Sequence, residues 1–143
     1  NDKFIVSSLT PQLYNKVYSE KKNLNRLLRE EHQKNINELL KRFSTKSVII
    51  DSFEKKPFTL SGRINIIQTE KAERFTAVAA ASILARAEMV KWFEDNLIEE
   101  FIKLPKGAST EVNSFLKNFK SSKKTNWANF CKLHFKNYTN IKT

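Results

Sequence analysis

Hydrophobic and polar positions in the first third of the chain predict one strand followed by two helices. Residues 4–9 are rich in β-branched and aromatic side chains and end at Thr10 and Pro11, which suit the cap and the first turn of a helix. Apolar residues then recur every three or four positions, first over residues 13–18 and again over residues 24–43. We therefore expect a strand, a short helix and a longer amphipathic helix.

The middle of the chain predicts two more strands and, with them, an α/β fold. Val48, Ile49 and Ile50 form a short unbroken apolar run, which is typical of a strand buried on both faces, as parallel strands are. A loop over residues 52–63 separates this run from the next predicted strand, over residues 64–69. The order of strand, helices, two strands and helix is that of an α/β protein.

The longest helix is expected over residues 76–104. Between 76 and 85 nearly every side chain is apolar and small, so this part of the helix should be buried on all sides. Over residues 88–104 only one face is apolar, which predicts that the helix leaves the core towards its end. Two further helices are expected beyond it, one that Ser109 caps and a last one over residues 127–135.

Charge and length narrow the class of protein. Lysine and arginine outnumber the acidic residues by 26 to 15, so the formal net charge is +11. This excess favours a polyanionic partner, although a lysine-rich solvated surface explains it equally well. With 143 residues the chain has the size of one domain. Its only methionine is Met89, so we expect it to be part of a longer protein.

Cysteine usage and hydropathy indicate a soluble, cytoplasmic protein. Cys131 is the only cysteine, so no disulfide can form within the chain, which suits a reducing compartment. The apolar runs are short and interrupted by charges, so neither a membrane span nor a signal peptide is expected. We therefore expect no membrane partner.

Two acidic residues are the candidates for metal binding. Asp51 follows a predicted buried strand, and Glu73 lies just before a predicted helix. Each has a purely structural explanation, since Asp51 can form a turn and Glu73 can offset the positive end of the helix dipole. Together, however, two carboxylates at the ends of neighbouring elements can hold Mg²⁺. Glu70 and Asp95 are interpreted as surface charges.

Other catalytic chemistry finds little support in the sequence. His32 and His134 lack companion ligands for zinc, and neither a serine or cysteine nucleophile signature nor a glycine-rich phosphate loop is present. Six basic residues could position a nucleic-acid backbone, although for all but Lys71 and Lys106 a solvated face is the favoured interpretation. They are Lys71, Arg74, Arg86, Lys106, Lys132 and Lys136.

Three segments carry a resemblance to a known family. They are Val48-Ile49-Ile50-Asp51-Ser52-Phe53, Lys71-Ala72-Glu73, and the alanine-rich run from Ala77 to Arg86. In these the chain resembles the type 2 ribonucleases H, specifically the bacterial ribonuclease HIII branch. Residues 9–15, 23–25, 104–108 and 132–135 are similar to that branch too, so the resemblance covers nearly the whole chain.

The resemblance implies a ribonuclease H-like fold and an endoribonuclease that cleaves the RNA strand of RNA/DNA hybrids. In that family two Mg²⁺ or Mn²⁺ ions are held by four acids, of which Asp51 would be the third and Glu73 the fourth. Apart from the resemblance, Lys71, Arg86 and Lys106 are the candidate nucleic-acid contacts among the six basic residues. Ser52 departs from the pattern, since a glutamine is common at that position.

The same resemblance implies that half of the metal site is missing from residues 1–143. The first two acids of the family form an Asp-Glu pair on the first strand, and this chain has no such motif. We therefore expect the C-terminal portion of the catalytic domain, without its first strands and without the N-terminal substrate-binding domain. This portion alone should be inactive, and the protein should act as a monomer.

Two other functions remain open at this point. One is a non-catalytic nucleic-acid-binding module, which would show salt-dependent binding and no need for divalent metal. The other is a different nuclease or a recombinase built on the same sheet, which would share the acids but not the Lys71-Ala72-Glu73 context.

Overall fold

A computed structural model describes residues 3–98, 102–107, 109–119 and 125–142. The helices and strands follow one another as α1 (Pro11–Lys21), α2 (Leu24–Arg42), β1 (Ser47–Asp51), β2 (Asn65–Thr69), α3 (Thr76–Asp95), β3 (Leu97–Ile98), β4 (Ile102–Lys103), α4 (Thr110–Phe119) and α5 (Lys136–Lys142). Short 3-10 helices lie at Ala72–Arg74 and Trp127–Asn129. These elements form a mixed α/β structure, as the sequence predicts.

The chain divides into two compact units. The first unit comprises the described residues up to Ser8 together with Lys21–Glu88, and the second comprises Leu9–Glu20 and the described residues from Met89 onward. Leu27, Ile50, Phe58 and Ala72 are the buried apolar residues of the first unit, and Tyr14, Ile98 and Leu116 are those of the second. Among the described helices, none is both long and apolar enough to cross a membrane.

The first two helices begin where side chains satisfy their free backbone N–H groups. The Thr10 hydroxyl accepts a hydrogen bond from the N–H of Leu13 at 3.3 Å, at the start of α1. The Asn23 side chain accepts one from the N–H of Arg26 at 3.0 Å and so caps α2. Both are short polar side chains that suit the first turn of a helix, and both helices are confirmed.

Strands β1 and β2 are parallel and form the sheet of the first unit. Their register pairs Ser47 with Asn65 at one end and Asp51 with Thr69 at the other. The prediction that β1 is buried on both faces is wrong for most of its length, because only Ile50 is buried and its neighbours Val48 and Ile49 are half-buried. In a sheet of two strands, each strand is an edge strand and is less buried than the central strand of a wide sheet.

Helix α3 differs most from its prediction. None of its described side chains is buried, and Ile83 is 68% exposed. Small apolar side chains mark a helix surface that suits close packing, but burial also needs an opposing surface. Within the described residues no such surface covers α3.

Helix α3 also ends earlier than its apolar pattern predicts. It stops at Asp95, and the Asn96 side chain donates to the carbonyl of Trp92 at 2.8 Å. Leu97–Ile98 then pairs with Ile102–Lys103 as two short antiparallel strands. The asparagine satisfies one of the carbonyls that the end of a helix leaves without an intrahelical partner.

Two other predicted elements are absent from the described residues. The segment at residues 4–9 has no strand partner there, although the Ser7 hydroxyl donates to the side chain of Asn35. Residues 127–135 contain one 3-10 turn instead of a helix. Their backbone is held by Asn15 instead, whose amide donates to the carbonyl of Cys131 at 2.9 Å and accepts from the N–H of Leu133 at 3.0 Å.

Candidate metal centre at the end of the sheet

Asp51 is the last residue of β1, and its side chain is exposed at the carboxyl end of the strand. Its Oδ1 atom accepts a hydrogen bond from the backbone N–H of Ala72 at 3.0 Å. The Oδ2 atom has no hydrogen-bond partner among the described residues. The carboxylate therefore fixes a neighbouring turn and still has an oxygen available for another ligand.

The turn that Asp51 holds carries Glu73. Ala72–Arg74 form a single 3-10 turn, in which the N–H of Phe75 donates to the carbonyl of Ala72 at 2.9 Å. Ala72 is fully buried, whereas Glu73 is exposed. The turn begins at Lys71, whose φ of 53° is left-handed and uncommon for a residue with a side chain. A buried alanine and a backbone hydrogen bond thus place Glu73 one residue from the group that binds Asp51.

The other predicted site residues lie in different surroundings. Lys71 is exposed and directly precedes the turn, and Arg86 is exposed on α3. Lys106 belongs to the second unit, where its Nζ lies 5.9 Å from the centre of the Phe93 ring. Glu70 is exposed, which agrees with its interpretation as a surface charge.

Asp51 and Glu73 are a pair rather than a complete set of metal ligands. Among the described residues no group of three or more histidine, cysteine, aspartate and glutamate side chains could hold a metal ion. The chemistry of the pair nevertheless suits Mg²⁺ or Mn²⁺, since both ions bind carboxylate oxygens. The pair matches part of an oxygen-ligand site and needs further donors.

The loop that follows Asp51 is attached to β2 by a residue that the sequence did not single out. Gln68 Oε1 accepts a hydrogen bond from the N–H of Phe58 at 2.7 Å. Its Nε2 donates to the carbonyl of Glu54 at 2.9 Å and to that of Lys56 at 3.2 Å. A polar amide inside a strand of isoleucines is the signal that could have identified it, because glutamine is not a typical strand residue.

The second unit contains an aromatic stack around His134, a residue for which the sequence offers no companion zinc ligands. Its ring centre lies 3.7 Å from that of Tyr18, and its Nδ1 is buried without a hydrogen-bond partner among the described residues. Burial, and to a lesser extent the charge of Lys132, lowers the pKa of His134. Packing in the stack therefore favours the neutral form of His134.

The fold is that of an α/β protein in which a carboxylate at the end of a parallel strand is bonded to the turn that carries a second carboxylate. The family model for Ribonuclease HII matches residues 4–138, and the chain belongs to this family. The predicted membership and α/β fold are both confirmed.

Known relatives agree with this assignment. Ribonuclease HIII of Chlamydia felis is 37% identical over 95% of this chain and 48% of its own length, and that of Aquifex aeolicus is 34% identical over 89% and 46%. The crystal structure of Aquifex aeolicus RNase H3 superposes with a TM-score of 0.71 at 29% identity, covering 87% of this chain and 46% of that chain. The chain spans about half the length of these relatives.

A second solved structure shares the fold at lower identity. Bst-RNase HIII in complex with Mn²⁺ matches with a TM-score of 0.79 at 23% identity, over 95% of this chain and 48% of that chain. At this identity the match describes the fold alone.

Proposed function

We propose that this chain is the C-terminal portion of a catalytic domain that cleaves the RNA strand of RNA/DNA hybrids. The observation that carries the proposal is the hydrogen bond from Ala72 to Asp51, which fixes two exposed acids of a ribonuclease HII family member at one end of the sheet. In this role Asp51 and Glu73 hold divalent metal, Mg²⁺ or Mn²⁺. Both ions accept carboxylate oxygens as ligands, which supports this choice of ions.

Metal ions of this kind stabilise the attacking and leaving oxygens of a phosphodiester and activate water. The contribution of Asp51 is a carboxylate whose position is fixed through Oδ1, so that Oδ2 remains for the metal. Glu73 contributes a second carboxylate from a turn whose backbone is anchored on buried Ala72. The Asp51 side chain and the backbone of the turn that carries Glu73 are thus held by hydrogen bonds within the chain.

Basic side chains bind the nucleic-acid backbone in this proposal. Lys71, Arg86 and Lys106 neutralise phosphates, and the net charge of +11 attracts the hybrid at long range. Of these residues, Lys71 is nearest in sequence to Glu73 and begins the same turn. It is the contact expected closest to the scissile phosphate.

The remaining ligands come from an N-terminal half in the same longer protein. The described residues supply two acids, whereas a two-metal site shares more carboxylates between its ions. The relatives are about twice as long, and the exposed small-residue surface of α3 is suited to pack against the missing strands. We place this protein in the cytoplasm as a monomer, in agreement with its single cysteine.

Substitution of the two acids tests this function in the protein that carries both halves. Asp51→Asn and Glu73→Gln should each abolish hydrolysis of a hybrid and leave hybrid affinity nearly unchanged, because the fold and the basic contacts remain. Asp95→Asn is the matched control, since Asp95 is an exposed acid at the end of α3. Retained hydrolysis in Asp51→Asn would show that Asp51 is not a metal ligand. Metal-dependent cleavage by residues 1–143 alone would contradict the proposal that the other metal ligands come from an N-terminal half.

The alternative is a basic nucleic-acid-binding module without cleavage. The net charge and the absence of a three-residue metal cluster within the described part of the chain favour it. It predicts binding that weakens steeply with salt and needs no divalent ion. The alternative would be supported if the longer protein bound hybrids in this way and never cleaved them.

A further inference from the structure

We propose that Gln68 is a positioning residue for the metal-binding carboxylate of Asp51, acting through the loop at residues 52–58. This inference rests on the proposed function. Gln68 lies in β2 opposite Ile50, one position before the pair formed by Asp51 and Thr69. Its side chain therefore leaves the sheet beside the point where the chain passes from Asp51 into the loop.

The amide of Gln68 binds the backbone of the loop at three points. It accepts from the N–H of Phe58 at 2.7 Å and donates to the carbonyls of Glu54 and Lys56 at 2.9 and 3.2 Å. Both ends of the amide are used, so neither an aliphatic nor an acidic side chain could make the same set of bonds. These bonds fix the path of the loop backbone close to the end of β1.

Arg29 holds the same loop from the side of α2. Its Nε donates to the Glu54 carboxylate at 2.7 Å, its Nη2 to the carbonyl of Lys56 at 2.8 Å and its Nη1 to that of Pro57 at 3.0 Å. The guanidinium also lies 5.1 Å from the centre of the buried Phe58 ring. The carbonyl of Lys56 accepts hydrogen bonds from both Gln68 and Arg29, so the two side chains hold the loop through a shared group.

This support acts on Asp51 through its neighbour Ser52. The N–H of Ser52 donates to the carbonyl of Thr69 at 3.0 Å, which extends the pairing of the strands by one residue. Asp51 thus lies between a paired strand and a loop whose backbone is fixed. A metal-binding carboxylate needs its position fixed to about 0.5 Å, and loss of such outer contacts commonly costs about 10- to 100-fold in metal affinity.

Metal binding by calorimetry in the protein that carries both halves tests the inference without relying on turnover. Gln68→Ala should weaken Mn²⁺ binding by about 10-fold, whereas Gln33→Ala should not change it. Gln33 is the matched control because it lies on α2, where its amide bonds only to the Asn37 side chain among the described residues. Mn²⁺ affinity equal to that of the unmodified protein in folded Gln68→Ala would overturn the proposal.

Two more variants keep the test decisive. Arg29→Lys serves if Gln68→Ala does not fold. It removes the donors to Lys56 and Pro57 but keeps a positive charge for Glu54, and it should also weaken Mn²⁺ binding several-fold. Unchanged Mn²⁺ binding in Arg29→Lys would overturn the proposal. Asp51→Asn separates this inference from the proposed function. If Asp51→Asn loses Mn²⁺ binding and Gln68→Ala does not, only the positioning role fails; if Asp51→Asn binds normally, the metal site itself is wrong.

Discussion

Asp51 and Ala72 are joined by a hydrogen bond of 3.0 Å, in which the carboxylate of the first accepts the backbone N–H of the second. The bond connects the end of β1 to the turn that carries Glu73. One candidate metal ligand therefore positions the other. The structural and the functional interpretation of Asp51 are thus compatible, because each uses a different oxygen of the same carboxylate.

This bond predicts that two substitutions of Asp51 differ in stability. Asn can still accept the N–H of Ala72 through its side-chain oxygen, so Asp51→Asn should keep the free energy of unfolding within a few tenths of a kcal/mol. Ala cannot accept it, so Asp51→Ala should lose about 0.5–1.5 kcal/mol. Urea denaturation measures both, with Asp95→Ala as the exposed control. Equal losses in Asn and Ala would mean that the charge, rather than the acceptor, holds the turn.

Lys71 should contribute to hybrid binding through its charge. Lys71→Gln should lower the affinity for an RNA/DNA hybrid and reduce the salt dependence of binding by about one phosphate contact, which is a slope change of roughly 0.7–0.9. Fluorescence anisotropy at several salt concentrations without divalent metal measures this slope. Lys46→Gln is the control, since Lys46 is exposed just before β1, at the other end from Asp51.

A second substitution at Lys71 separates its charge from its backbone conformation. Glycine accepts the left-handed φ of 53° without the clash that a side chain brings. Lys71→Gly should therefore bind as weakly as Lys71→Gln while the turn is retained. Tighter binding by the glycine variant would show that the conformation, not the charge, limits binding.

The stability of the second unit should depend on pH through His134. Burial and the charge of Lys132 lower its pKa when the chain is folded. The unfolded chain then binds more protons at pH values below about 6.5, so stability falls as the pH drops through this range. His134→Phe keeps a ring in the stack with Tyr18 but cannot titrate. It should therefore reduce the loss of stability between pH 7.5 and 5.5.

The control for this prediction is the other histidine. Burial also lowers the pKa of His32, whose ring stacks on Phe53 in the first unit. Some pH dependence should therefore remain in His134→Phe and disappear only in the double variant with His32→Phe. Urea midpoints at the two pH values measure each contribution, and an unchanged profile in His134→Phe would contradict the role of the stack.

Local signals in the sequence were enough to find most of the elements around the site. Thr10 and Asn23 act at the helix starts as their side-chain chemistry predicts. The apolar run before Asp51 forms β1, and the predicted strand after Gly62 forms β2. Such signals depend on residues a few positions apart, and a single sequence contains them in full.

Two predicted helical segments were wrong because their backbone groups bind partners outside the helical pattern. The apolar pattern after Asp95 fits a helix, but Asn96 binds the carbonyl of Trp92 and Leu97–Ile98 pairs with Ile102–Lys103 as two short strands. Residues 127–135 fit an amphipathic helix, but Asn15 takes up their backbone groups from more than a hundred positions away. The spacing of apolar residues does not show which hydrogen-bond partner a backbone N–H or carbonyl group will have in the fold.

The sequence by itself determined the family of this protein, its α/β class and the two acids on which the proposed metal site is based, because these depend on residue identity and local pattern. Only the tertiary structure decided that Asp51 bonds to Ala72, that Gln68 and Arg29 hold the loop between the strands, and that α3 has no buried side chain among the described residues. The physical reason is that burial, and hydrogen bonds between residues far apart in sequence, depend on two parts of the chain that meet in the fold. The sequence pattern of one segment does not show which other segment it will contact.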